Sequence, residues 1–283
     1  MNDFLEVQTN SAVSVLAASN ESREVTEVKS QIFLAKQFPR DLSAVESRIM
    51  MECKNPKLAE VAQYNYVKGK GDKATEIKGA SIRLLEMIAR NWGNCDSSIT
   101  ELERRKDGST VKARFWDFET NAQQSKVFDV KFIRNTKNGS YPITDEREQY
   151  EMMANYGARR LRACIQAGIP SYLVDQALEA CEKTLEESIK KGSSIEETRA
   201  SMLAYFQKLA SWITPEMLGN AVNKDFNSIT VQDVAKLKHL CNAIRDGFVK
   251  PEAAFLGQEE DSGLPSKEEQ EEAENMNQQL GLE

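Results

Sequence analysis

The sequence predicts an α+β fold: a helix, a three-stranded antiparallel β-meander and a long basic helix, followed by a small all-helical domain. Three patterns carry this expectation. Two central segments alternate apolar and polar side chains with the period of two that a half-buried strand requires. A long segment after them repeats its apolar residues every three or four positions, the period of an amphipathic helix. Beyond Gly192 the chain offers capped helix starts and no strand pattern.

Residues 1–30 are polar and poor in aromatics, which predicts a mobile or only locally ordered segment. From Ile32 to Ala62 the pattern is helical, broken near Pro39 and near Asn55-Pro56. Val67–Lys73 reads as a flexible basic loop. It lacks the spacing of a phosphate-binding P-loop, and no such motif occurs elsewhere. Ser81 to Trp92 reads as a helix, with Ile82, Leu85, Ile88, Ala89 and Trp92 on its apolar face, ended by Gly93-Asn94.

The meander follows as Ile99–Arg105, Thr110–Phe118 and Lys126–Ile133, with Asp107-Gly108 as the first hairpin turn. Val111, Ala113 and Phe115 share one face of their strand, and Phe128, Val130 and Phe132 share one face of the next. Lys112, Arg114, Trp116 and Phe118 take the opposite face. Asp145, with Glu148 three residues on, opens the long helix as a capping box. Its expected core stripe is Tyr150, Met153, Ala154, Gly157, Leu161, Cys164, Ile165 and Gly168. A polar stripe of Asn155, Arg159, Arg162 and Gln166 runs beside it, with Arg160 adjacent. Pro170 ends this helix and Tyr172–Lys191 forms another. Gly192-Ser193-Ser194 marks a domain boundary, so the expected core spans 31–190 and a helical interaction domain spans 195–256. Thr214-Pro215 and Thr230-x-x-Asp233 are helix starts in that domain. Residues 257–283 are rich in Gln and Glu and should be disordered.

Composition removes several classes of chemistry. His239 is the only histidine, which argues against histidine triads and histidine-rich metal centres. The five cysteines form no C-x-x-C pair and read as reduced thiols. No apolar run reaches the roughly 18–20 residues of a membrane span, so no membrane partner is expected. The net charge of −7 hides an uneven distribution. Residues 258–283 carry nine acids against one lysine, whereas 31–170 carry 24 basic against 18 acidic residues. A basic body with a separate acidic tail fits nucleic-acid binding better than the total suggests.

Single-stranded nucleic acid needs cations along a groove for its phosphates and flat apolar partners for its bases. Lys112, Arg114 and Trp116 on one strand face offer both. Arg159, Arg160 and Arg162 are expected to line the same groove from the long helix.

These segments resemble a known family. Ile77-Lys78-Gly79-Ala80-Ser81-Ile82-Arg83, the helix ending in Asn91-Trp92-Gly93-Asn94, the meander, and Tyr156-Gly157-Ala158-Arg159-Arg160-Leu161-Arg162 resemble the annealing core of the RecT/Redβ/Erf superfamily of phage recombination proteins. Ile229-Thr230-x-x-Asp233, Ala243-Ile244-Arg245-Asp246-Gly247 and Pro251-Glu252-Ala253 resemble the small helical C-terminal module of such proteins. The resemblance spans roughly residues 60–256. It implies ATP-independent binding of single-stranded DNA and annealing of complementary strands, with Lys78, Arg83, Lys112, Arg114, Arg159, Arg160 and Arg162 as DNA contacts. One DNA strand would span far more than one subunit's groove, which predicts a ring or helical homo-oligomer; the resemblance places it in the cytoplasm of a bacterial host. A phage exonuclease or host single-strand-binding protein would be the partner of the C-terminal domain. No cofactor is required, and Mg²⁺ would act only as a phosphate counterion.

Two other readings compete. Asp117, Asp129 and Lys131, with Glu119 as a third acid, form the minimal pattern of a metal-dependent nuclease. The helical C-terminal unit and acidic tail would also suit an adaptor that binds no DNA.

Overall fold

The computed structural model describes residues 22–68, 75–136, 139–192 and 194–256, and its fold is α+β. The chain divides into two compact units, residues 1–64 with 79–193 and residues 65–78 with 194–283. The expected core of 31–190 therefore loses the segment 65–78 to the second unit. The acidic tail, 257–283, lies outside the described residues.

The first unit opens with helix α1 over 22–37, so the expected mobile N-terminal segment is helical from residue 22. Helix α2, Leu42–Cys53, starts at Asp41, whose carboxylate accepts from the Ser43 and Ala44 amides. Helix α3, Pro56–Val61, follows Asn55, which caps it with proline at its first position. Strands β1 (Gln63–Lys68) and β2 (Thr75–Ala80) pair as a two-stranded sheet where the sequence suggested only a loop. Their outer ends, 65–68 and 75–78, belong to the second unit. Ser81 then caps helix α4, Ile82–Trp92.

The meander is β3 (Cys95–Arg104), β4 (Gly108–Asp117) and β5 (Ala122–Lys131), antiparallel in that order. Each strand begins upstream of its expected start. The register sets Gly108 against Lys131 at one end and Asp117 against Ala122 at the other. A short hairpin, β6 (Ile133–Thr136) and β7 (Gly139–Pro142), was not expected from the sequence.

Helix α5, Glu146–Gly168, lies across the face of the sheet that bears Val111, Ala113 and Phe115. Two glycines set how closely it approaches. A Cβ on Gly157 would stand 2.9 Å from two carbons of Ile99, and one on Gly168 would overlap the Phe115 ring. Phe115 is fully buried and has nowhere to retreat. Gly168→Ala should therefore destabilise the unit by about 1–3 kcal/mol through overpacking, measured by urea unfolding. An unchanged or higher midpoint would mean the clash is absent and only helix propensity acts.

The buried stripe of α5 is Gln149, Met153, Gly157, Leu161, Cys164 and Ile165. Tyr150 and Ala154, expected in it, are exposed. Gln149 takes the inward place because its polar atoms are satisfied: its Nε2 donates to the Ile143 carbonyl at 2.7 Å and its Oε1 accepts from Arg104 at 2.6 Å. Val111, Val130, Phe132, Ile143 and Met153 close the core between helix and sheet. Phe118, expected on the outer sheet face, is buried. Helix α6, Ser171–Lys191, packs on α2, α3 and α4 and completes the unit.

The second unit contains α7 (Ile195–Leu209), α8 (Pro215–Ala221), a short 3-10 turn at Phe226–Ser228, α9 (Val231–Arg245) and α10 (Pro251–Leu256). Thr230 and Asp233 form a reciprocal capping box at the start of α9. Arg199 on α7 donates to the Ile229 carbonyl and ties that start to its neighbour.

Candidate functional site

The basic residues expected in one groove occupy several surfaces. Alternation along β4 buries Val111, Ala113 and Phe115 beneath α5 and turns Lys112, Arg114 and Trp116 to the other side of the sheet. That outer face is polar and partly neutralised. Arg114 pairs with Asp96 at 2.7 Å and stacks on Trp116 with 5.2 Å to the ring centroid. Trp116 is half-buried there, edge-on to Phe118, and its Nε1 donates to Asn121 at 3.0 Å. Lys112 and Arg114 therefore cannot share a groove with arginines carried by α5, because the sheet separates them.

On α5 the arginine trio divides again. Arg162 turns toward Tyr64 of β1, its guanidinium 5.1 Å from the ring centroid and 3.0 Å from the hydroxyl oxygen. Arg160 turns to the other flank, over the free edge of β5, and lies 4.7 Å from the Phe128 ring and 5.1 Å from the Tyr156 ring. Arg159 stands 5.9 Å from Tyr156. Lys126 shares the sheet face of Phe128, two residues away, and its charge acts on Cys164 of α5. Burial pushes the Cys164 thiol up, and nearby Lys126 offsets only part of that.

The α5/β5 seam thus joins three cations, Lys126, Arg159 and Arg160, to two aromatic rings, Phe128 and Tyr156. Arg160 is half-buried, and its pKa is lowered by burial first and by the charge of Arg159 second. Among the described residues no carboxylate forms an ion pair with Arg160 or Lys126. A half-buried guanidinium over aromatic rings, with no carboxylate paired to it among the described residues, is suited to an anion delivered from outside. Lys126 and Phe128 were missed as site residues, although strand parity identifies them. The face bearing Phe128, Val130 and Phe132 is the one α5 must cover, and Lys126 shares it.

Arg83 sits half-buried on α4, which packs against α5 and β3. Its neighbour Glu86 has its carboxyl pushed up by burial and eased down by the Arg83 charge. Lys78 is exposed on β2, in the segment that belongs to the second unit.

The candidate nuclease residues are not assembled. Asp117 pairs in register with Ala122 and Asp129 with Thr110, seven residues along the ladder, roughly 23 Å at strand rise. They also point to opposite faces of the sheet. Asp117 is 3% exposed and is bound at Oδ2 by Arg40 Nη1 at 2.5 Å and Trp92 Nε1 at 2.8 Å. Its Oδ1 accepts the Glu119 and Thr120 amides. Glu119 is held by Arg40 and Asn94. Asp129 is exposed, and the Thr110 hydroxyl and Arg105 hold its carboxyl below the usual range. No group of three or more His, Cys, Asp or Glu side chains suited to a metal ion occurs among the described residues. No helix among them is long and apolar enough to cross a membrane. Set against models of protein families, curated proteins and solved structures, the chain finds no match in any of the three comparisons.

Proposed function

We propose that this chain binds single-stranded DNA by its phosphates along the α5/β5 seam and anneals complementary strands without ATP. The observation that carries this reading is Arg160, half-buried, with its guanidinium over both the Phe128 ring (4.7 Å) and the Tyr156 ring (5.1 Å), and without a carboxylate partner among the described residues. Arg159 and Lys126 extend the positive surface on either side. Phosphate oxygens accept charge-assisted hydrogen bonds from these groups, and ring faces beside them accept bases in any sequence. Annealing then needs no covalent chemistry. A strand held by its backbone leaves its bases open to a second strand, and correct register persists because each stacked step adds on the order of 1.4 kcal/mol. Mg²⁺ would act only as a counterion, a ring or filament of copies would hold the long strand, and the C-terminal domain would engage an exonuclease or single-strand-binding protein. A cytoplasmic site in a bacterial host rests on the resemblance to phage annealing proteins.

The test is annealing of two labelled complementary oligonucleotides without ATP, in EDTA and in Mg²⁺, together with the salt dependence of single-strand binding. The K126A/R160A variant should bind at least about a hundredfold more weakly, since each lost charged hydrogen bond removes about 1.5–3 kcal/mol and every 1.4 kcal/mol is tenfold. Its log–log salt slope should be shallower by about 1.4, two phosphate contacts at about 0.7 each. K112A/R114A, on the other sheet face, should anneal as the wild type does. Equal losses in both variants would dissolve the assignment to the seam. No binding by the wild type would leave the adaptor reading, and shortened strands in Mg²⁺ would reopen the nuclease.

A further inference from the structure

Strand β5 lies at the edge of its three-stranded sheet, since the order is β3-β4-β5 and the β6–β7 hairpin forms a sheet of its own. It pairs with β4 over ten consecutive residues without a bulge, and eight of its ten residues are exposed. Bonded and non-bonded pairs alternate along an antiparallel ladder, and one bond fixes the phase: Phe132 donates to the Asp107 carbonyl at 2.8 Å in the same register. Gln123, Ser125, Val127, Asp129 and Lys131 therefore turn both backbone N–H and C=O away from β4. No strand among the described residues pairs with that row. A donor and an acceptor recur at every second residue, about 6.8 Å apart. Phosphates suit only the donors of such a row and are repelled by its carbonyls, whereas a second polypeptide strand satisfies both.

We infer that this edge takes an extended acidic segment of a partner protein as a fourth, antiparallel strand. Antiparallel pairing is the more stable per residue, and the two faces of β5 set the side chains the segment must carry. On the α5 face stands Lys126, with the Arg160 guanidinium 4.7 Å from the neighbouring Phe128 ring, and neither cation forms an ion pair among the described residues. On the other face Val127 is 59% exposed, and Asp129, the only acid of the strand, is held by Thr110 and Arg105. A lysine on an edge strand keeps most strands away, because pairing would bury its charge. Here it selects among them, since a carboxylate opposite Lys126 supplies the counter-charge. An acid opposite Lys126 and an aliphatic side chain opposite Val127 fall on successive residues of the incoming strand, one on each face. The segment is therefore one in which Glu or Asp alternates with Val, Ile or Leu, and its aliphatic residues carry the amides that bond to β5. Lys126 and Arg160 also serve the proposed DNA site, so segment and DNA exclude one another; that consequence alone rests on the nucleic-acid reading.

The experiment measures fluorescence anisotropy of a labelled, end-capped peptide of alternating glutamate and valine on the full chain, without DNA. The peptide methylated at its valine nitrogens keeps its charge but loses the bonding amides, and should bind at least about tenfold more weakly. The peptide methylated at its glutamate nitrogens, which face away from β5, should bind as the unmodified one does. On the protein, Val127→Pro removes one outward amide and no bond to β4, so it should weaken the peptide at least about tenfold. Hydrogen exchange should find the Ser125, Val127 and Asp129 amides unprotected in the free chain and slowed by the peptide. No binding, or equal binding by the two methylated peptides, overturns the inference, whether or not Val127→Pro folds. So do amides already slow in the free chain, which would mean that a second copy or another segment pairs with the edge. Oligonucleotide binding is measured separately on the same proteins. DNA bound without peptide would sink this inference alone, and peptide bound without DNA would sink the nucleic-acid reading alone. Val127→Pro weakening the oligonucleotide as much as the peptide would give the edge to DNA and overturn the assignment to a strand.

Discussion

Replacing Arg40 by leucine should cost about 3–5 kcal/mol, because it leaves the buried Asp117 carboxylate and the partly buried Glu119 carboxylate without their cation. The Arg40 guanidinium contacts Asp117 at 2.5 Å, Glu119 at 3.0 Å and the Gly93 carbonyl at 3.3 Å, and it stacks 4.1 Å from the Trp92 ring centroid. The Arg40 and Asp117 side chains are 7% and 5% exposed, so water screens the pair poorly. Burial alone would raise the Asp117 pKa. Arg40, Trp92 and the Thr120 amide outweigh it and hold the carboxyl below the usual range. The network joins the α1–α2 junction, the end of α4 and the turn after β4, so its loss should loosen all three. Urea unfolding of Arg40→Leu, Asp117→Asn and the double variant tests this. The double variant should lose clearly less than the sum of the singles, since the neutral amide that replaces the Asp117 carboxylate no longer needs a cation. Strict additivity would show that the pair is not coupled. The same experiment guards against a misreading, because inactivity of an Asp117 variant would reflect unfolding and say nothing of catalysis.

How much of this was legible in the sequence depended on whether a pattern was local. Ser81, Asp145, Thr214 and Thr230 each cap the helix they were expected to start, since a cap is decided within four residues. The meander was legible for the same reason, through alternation and the Asp107-Gly108 turn. The core stripe of α5 was misjudged at its start because Gln149 is buried by hydrogen bonds to Ile143 and Arg104, a satisfaction no apolar pattern reveals. The β1–β2 and β6–β7 hairpins escaped because such short strands, edged with glycine and polar side chains, show little alternation. Five of the seven expected DNA contacts, Lys112, Arg114, Arg159, Arg160 and Arg162, were assigned to one groove on charge and proximity in the chain, without following strand parity, and Lys78 and Arg83 were added by the resemblance. The alternation of β4 already placed Lys112 and Arg114 opposite the face that α5 buries, and the same parity placed Lys126 and Phe128 on the α5 side. Arg40 carried no sequence signal, since its partners Asp117 and Glu119 are more than 75 residues away.

The second unit should lose about 3 kcal/mol of stability between pH 7 and pH 4 through one residue, His239. Its side chain is buried on α9, and burial first, then the charge of Lys238, lowers its pKa to about 4 from an ordinary 6.5. Between those values the unfolded imidazole is protonated and the folded one is not, so the unfolded state binds more protons. Stability is therefore full above pH 6.5, falls as the pH drops through the window, and stops falling from this source below about 4. His239 is the only histidine in the chain, so no other imidazole blurs the window. Asp233 adds a separate loss at lower pH. Burial alone would raise its pKa, but Lys224 and Thr230 bring it down to about 2, so its contribution disappears below the ordinary carboxylate range. Hydrogen exchange of the α9 amides at pH 7, 5.5 and 4.5, corrected for intrinsic rates, reads the local free energy in the full chain. His239→Gln should flatten the profile over that range while lowering stability at pH 7, where the amide fills the site less well. A variant that keeps the wild-type slope would assign the acid sensitivity of this unit to its carboxylates and return His239 to the role of a packing residue.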